Sequence, residues 1–93
     1  MKKYFIETFV TCEDGREFHE MYECEGYERT SNWTGECIRC EDVNSFKNGK
    51  KQPIRKQFSK GKYITIEKMP HWLKFEVTIF ENGTDNVVER WSA

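Results

Sequence analysis

Trp72-Leu73-Lys74-Phe75-Glu76-Val77-Thr78-Ile79-Phe80, then Asn82-Gly83, then Asn86-Val87-Val88-Glu89-Arg90-Trp91, is the stretch on which the fold turns. Its first part alternates with period two. A strand here puts Leu73, Phe75, Val77 and Ile79 toward a core and Lys74, Glu76 and Thr78 toward water. Asn82-Gly83 is a strong short-range hairpin signal, because both residues tolerate the left-handed backbone of tight turns. A three-residue loop sets Val87 beside Ile79 and Trp91 beside Phe75. A two-residue loop would set Arg90 beside Phe75, so the first register is preferred for keeping one apolar face.

Working outward, residues 62–67 read as another strand with Ile64 and Ile66 inward, separated from the hairpin by Pro70. Residues 3–11 are apolar on both sides (Tyr4, Ile6 and Val10; Phe5 and Phe9), which predicts a strand that is central or covered on both faces. Residues 16–25 read two ways. As a strand, Phe18, Tyr22 and Cys24 share a face with Glu20, and Asp14-Gly15 is a hairpin tip. As a helix, Asp14 caps it, Glu17 completes a capping box, and Phe18, Met21 and Tyr22 form a stripe. The strand is preferred. Residues 26–34 and 45–61 read as long loops, the second basic and broken by Gly49, Pro53 and Gly61. The expectation is one domain over residues 1–93. It is mainly β, with a β-rich α+β fold as the variant: a small antiparallel sheet of five or six short strands with a zinc-stapled loop.

A chain of 93 residues makes one domain with a thin core, so a staple is a reasonable expectation. Aromatic residues at 15% argue against disorder. No apolar run has the length of a signal core or a membrane span, so the expected compartment is the cytosol. There, cysteines serve more often as metal ligands than as cystines. The sequons at Asn32 and Asn82 are read as chance. The net charge of −1 hides a split. Residues 7–42 hold 11 acids and 3 bases, whereas residues 43–74 hold 9 bases and 1 acid. Such a split predicts a polarised surface.

The four cysteines are Cys12, Cys24, Cys37 and Cys40. The Cys37-x2-Cys40 pair has the spacing of a zinc knuckle, with Gly35 suited to a bend. A complete ribbon has two such knuckles and this chain has one. The expected cofactor is a structural Zn²⁺ on all four thiolates, closed to water and without chemistry of its own. A tight Asp14-Gly15 hairpin opposes this, because it would part Cys12 from Cys24 by ~23 Å at about 3.3 Å per residue. The chain then loops back, or His19 or His71 replaces a cysteine. Free thiols, disulfides and a thioredoxin-like redox pair are the other readings, the last lacking its βαβ context.

His19-Glu20 begins like a zinc-protease motif, but Glu23 stands where the second histidine belongs. No nucleophilic triad, phosphate loop or catalytic carboxylate pair is evident, so no enzyme is expected. Lys47, Lys50, Lys51, Arg55, Lys56, Lys60 and Lys62, interleaved with Phe46, Phe58 and Tyr63, suit single-stranded nucleic acid. The acidic half and a pI near 6.1 weigh against a dedicated binder.

In its size, its acidic patching and its Cys12/Cys24/Cys37/Cys40 set, the chain resembles the small phage- or prophage-encoded zinc-containing anti-CRISPR inhibitors of Cas9. The resemblance implies a stoichiometric inhibitor in the host cytosol. Glu13, Asp14, Glu17, Glu20, Glu23, Glu25 and Glu28 would meet a basic nucleic-acid channel of a Cas9-like nuclease and hinder loading. Carboxylates and phosphates attract the same Lys and Arg clusters. The basic loop departs from a pure DNA-mimic pattern. The alternatives are a zinc-bearing single-strand binder using Lys47, Lys50, Lys51, Arg55, Lys56, Phe58 and Lys60, and a secreted, cystine-stapled domain. No membrane partner is expected.

Overall fold

A computed structural model describes residues 1–32, 35–47, 50–52 and 63–93. The described residues form nine strands and no helix: β1 Tyr4–Cys12, β2 Glu17–Cys24, β3 Gly26–Asn32, β4 Gly35–Glu41, β5 Asn44–Lys47, β6 Lys50–Gln52, β7 Tyr63–Glu67, β8 Trp72–Glu81 and β9 Val87–Ser92. They build two antiparallel sheets, one of six strands in the order β6-β5-β2-β1-β8-β9 and one of three in the order β3-β4-β7.

β1 is central, between β2 and β8, as its apolar composition requires. Its alternation sends Ile6, Thr8 and Val10 to one buried side, in register with Ile79, Val77 and Phe75 of β8. The expected strand over 16–25 is β2, and the Asp14-Gly15 tip is present. The Cys12 N–H donates to Arg16 O at 2.8 Å, the Gly15 N–H donates to Cys12 O at 3.0 Å, and Gly15 has φ 87°. That is a three-residue hairpin closed by a left-handed glycine.

The second sheet is the outer half of a folded hairpin. β2 and β5 pair as Glu23↔Asn44, and β3 and β4 pair as Gly26↔Glu41, so the two ladders are in step across the break. The arms β2–β3 and β4–β5 are one long ladder creased at Glu25 and Asp42. The Glu25 N–H donates to Glu41 O at 3.1 Å, and Asp42 adopts φ 49°, a region that Asp tolerates better than most residues. The crease lays Ile38 and Cys40 of β4, with Ile64 and Ile66 of β7, over Ile6, Tyr22, Cys24, Phe75, Val77, Ile79 and Trp91. The core lies between the sheets.

Four expectations are corrected. Residues 26–34 are not a loop through to Asn32 but contain β3, an edge strand whose ladder is held by β4 rather than by an apolar pattern. Part of 45–61 is likewise β5 and β6, and residues 53–61 lie outside the described residues. Leu73 does not enter the core. Thr11 pairs with Lys74 and Cys12 with Trp72, so Leu73 is the extra residue of a bulge. The bulge turns Trp72 inward against Phe75, ring centroids 5.7 Å apart, and leaves Leu73 61% exposed. Finally, Trp91 lies opposite Val77 rather than Phe75, two residues from the expected register. The turn is longer than expected, with the Glu81 N–H donating to Asn86 O at 2.9 Å, and a second bulge follows. A shift of two preserves the face, so Trp91 still points inward.

Candidate interaction face and cysteine pair

β1, β2, β8 and β9 have a second side, which is half-buried or exposed. Opposite Ile6, Thr8 and Val10, β1 carries Phe5, Glu7 and Phe9. In register beside them stand Glu23, Met21 and His19 of β2, and Phe80, Thr78 and Glu76 of β8. Phe46 of β5 pairs with Met21, and Arg90 of β9 with Thr78. The result is an aromatic floor among carboxylates. Phe5 and Phe80 have ring centroids 6.3 Å apart, and Phe9 stacks on His19 at 4.1 Å and 9° while remaining 44% exposed. A groove of about 450 Å³ there is lined by Glu7, Phe9, Glu76, Thr78, Phe80 and Arg90, and reaches Trp91 and Ser92 of β9. Arg90 is held at its side by Thr78, whose hydroxyl oxygen accepts from Nε at 3.3 Å. Lys74 neutralises part of Glu76 at 3.1 Å.

The seven acids expected to form one surface are divided by the alternation of their strands. Glu17 and Glu23 are on this outer face, Glu23 accepting from Asn44 Nδ2 at 2.8 Å. Glu13 and Asp14 are at the β1–β2 tip, where Asp14 takes Arg16 at 2.6 Å. That arginine's backbone N–H and side chain hold the Asp14 carboxyl below its ordinary value. Glu20 points to the inner side and accepts from the Tyr22 hydroxyl. Glu25 is at the crease, and Glu28 is on the outer side of the small sheet, across from Arg39. Strand alternation applied to residues 3–11 and 72–80 was the signal for Glu7, Phe9, Glu76 and Phe80. The same alternation that marks the core side of each strand marks its outer side. Of the proposed nucleic-acid residues, Lys47, Lys50 and Lys51 fall on β5 and β6, while Arg55, Lys56, Phe58 and Lys60 lie outside the described residues.

All four cysteines are buried. Cys12 is at the hairpin tip and Cys24 pairs with Tyr4, eight residues away along β1, ~26 Å at about 3.3 Å per residue. Cys37 and Cys40 are three apart on the extended strand β4, and so point to opposite sides of the small sheet. Cys37 meets Thr30 Oγ1 at 3.0 Å, while Cys40 is in the core. The expected single site on Cys12, Cys24, Cys37 and Cys40 does not match this placement, because a knuckle needs a bend where the chain has a strand. Among the described residues, no group of three or more His, Cys, Asp or Glu side chains is disposed to hold a metal ion. His71 edges onto Trp72 and His19 stacks on Phe9, so neither completes a set with the thiols. Two cysteines do meet. Cys24 and Cys40 share a hydrogen bond, and that bond, with burial, raises the Cys40 thiol above its ordinary value.

A clasp joins the sheets at the other edge. The Tyr27 hydroxyl donates to Glu89 at 2.9 Å, and Arg29 reaches Glu89 and Glu36 at 3.2 Å each. The Arg29 guanidinium lies 4.4 Å from the Trp91 ring centroid. Burial, then the bond to Glu89, pushes the Tyr27 phenol up to about 12. The folded state thus favours the neutral phenol. That stabilisation is complete below about pH 10, the ordinary tyrosine value, and is lost as pH rises toward the folded value. Thermal melts across this window are expected to fall less steeply for Tyr27→Phe than for the parent. Equal slopes would remove the clasp from the account of alkaline stability.

No family model matches the chain, and no match was found among curated proteins or solved structures.

Proposed function

We propose that this chain is a non-catalytic protein-interaction module whose working surface is the outer face of the six-stranded sheet. Its partner presents arginine and lysine side chains. The observation that carries this reading is the groove in which Glu7 and Glu76 stand beside Phe9 and Phe80. A guanidinium seated there meets carboxylates and ring faces together, the two groups that best reward a cation at a partly desolvated site. Glu17 and Glu23 extend the negative potential along β2, which steers a basic partner toward the face. The resemblance to anti-CRISPR inhibitors supplies one partner of this chemistry, the nucleic-acid channel of a Cas9-like nuclease. Occupying that channel would block loading without turnover. On this reading the fold positions the face, and zinc is not required for binding.

An oligo-arginine peptide serves as the probe, with oligo-glutamate and single-stranded DNA as comparisons. Amide chemical-shift mapping is expected to place oligo-arginine on β1 and β8. Glu7→Gln with Glu76→Gln is expected to weaken it about tenfold, from the loss of two partly exposed charge pairs. Glu13→Gln with Asp14→Asn, at the hairpin tip, is expected to leave it unchanged. Tighter binding of the single strand than of oligo-arginine would overturn this reading in favour of the basic segment.

A further inference from the structure

We infer that Cys24 and Cys40 are an oxidation site, the pair that closes a disulfide across the crease and locks the small sheet onto the large one. Two independent features place them together. Cys24 is the cross-strand neighbour of Tyr4, and Cys40 that of Tyr27. The rings of Tyr4 and Tyr27 meet edge to face at 5.0 Å, so the two ladder rungs face each other across the sandwich. The thiols themselves are hydrogen-bonded and fully buried. Stacked sheets normally lie ~10 Å apart, too far for a disulfide with its Cα separation of about 5.5–6 Å. Beside the crease the chain passes from one sheet to the other, so the sheets converge. Two short side chains fit there, within hydrogen-bond reach of each other.

The other pairings are disfavoured by position. Cys37 is turned to the far side of β4, and Cys12 is at the opposite end of the β1–β2 ladder. With a disulfide oxidant such as oxidised glutathione, the first protein thiolate attacks one glutathione sulfur and expels glutathione thiolate. The second protein thiolate then attacks the mixed disulfide and expels the other. Two protein thiols and one glutathione disulfide thus become one protein disulfide and two glutathiones. The two electrons pass to glutathione, and the two protons end on the released thiols. Because both sulfurs are buried, the reaction proceeds through opening of the crease and is slow on the closed fold.

The test uses the whole reduced chain, folded and treated with chelator. It is exposed to oxidised glutathione and followed by intact mass and a non-reducing tryptic map. Trypsin places Cys12, Cys24, Cys37 and Cys40 in separate peptides, 4–16, 17–29, 30–39 and 40–47. The expected product is two hydrogens lighter and links 17–29 to 40–47. Its unfolding midpoint is expected to rise by roughly 10 °C, from closure of a short loop. The Cys12→Ser, Cys37→Ser double variant is expected to keep both the link and the shift, and Cys24→Ser to lose both. A link through Cys12 or Cys37 would overturn the assignment. So would four thiols that stay reduced in the folded chain while the urea-unfolded chain is oxidised. A native mass with one zinc and four protected thiols would overturn it as well.

Discussion

Phe75→Ala is expected to cost about 3–5 kcal/mol, the range for removing a large aromatic side chain from a core. For a domain of this size the whole stability is roughly 5–14 kcal/mol, so the variant stands near the edge of unfolding. Phe75 has no exposed surface and sits beside Val10 in the β1–β8 register. Its backbone N–H and C=O both bond Ala93, each at 2.8 Å, so it also anchors the end of the chain to β8. The cavity it leaves adjoins Trp72, which the bulge at Leu73 has turned inward. Little can collapse to fill it, because the surrounding residues are held on hydrogen-bonded strands. Equilibrium denaturation measures the loss. A thermal midpoint lower by roughly 15–30 °C is the expected companion result. Leu73→Ala is the contrasting variant, expected to fall within about 0.5 kcal/mol of the parent because that side chain is exposed. Similar losses at positions 73 and 75 would mean that the bulge does not select Trp72 over Leu73.

The same pair of residues shows what a period-two pattern can and cannot disclose. Alternation identified β8 and the inward side of Phe75, Val77 and Ile79, because each of those positions obeys the simple strand rule. It failed at Leu73, where one extra residue inverts the local phase, and a bulge has no signature in hydrophobicity alone. The hairpin signal at Asn82-Gly83 marked a real turn, with Gly83 at φ 80°, but not the length of the loop. Trp91 still points inward, because the register differs from the expected one by two. β3 carries no strand signature in its sequence, because its only core-facing aromatic is Tyr27, and Arg29 reaches carboxylates instead of apolar neighbours. The seven acids are near one another in sequence. A strand sends neighbours to opposite sides, so nearness in sequence does not make a surface. The cysteine spacing was legible only as a pattern. Cys-x2-Cys means a knuckle on a turn and two opposed thiols on a strand, and the sequence does not say which holds at residues 37–40. The tight Asp14-Gly15 hairpin gave the contrary indication, and the strands follow it.

Deleting Glu25 and Asp42 together is expected to abolish cooperative unfolding. The crease works because β2–β3 and β4–β5 stay in step through it, as the pairs Glu23↔Asn44 and Gly26↔Glu41 show. Removing one residue from each arm keeps every cross-strand partner, so the hairpin still forms. It also removes the pair at which the alternation breaks: Cys24 and Tyr27, like Cys40 and Val43, lie three apart yet all face the core. Without that pair the arms become one unbroken ladder, in which these residues share a face but no crease lays β3 and β4 back over β1 and β8. Ile38 and Cys40, now fully buried, would lose their cover together with Ile64 and Ile66. Losing the burial of Ile38 alone is worth about 2–5 kcal/mol. Uncovering Ile64 and Ile66 adds to it, and the sum is comparable with the roughly 5–14 kcal/mol available to such a domain. The lost Lys2–Asp42 pair at 2.8 Å is a surface contact and contributes little to this outcome. Near-ultraviolet circular dichroism is expected to lose its aromatic bands and the thermal melt its sharp transition. A sharp melt within a few degrees of the parent would mean that a smooth bend of the unbroken ladder closes the two sheets equally well. The crease would then be dispensable to the packing of the small sheet on the large one.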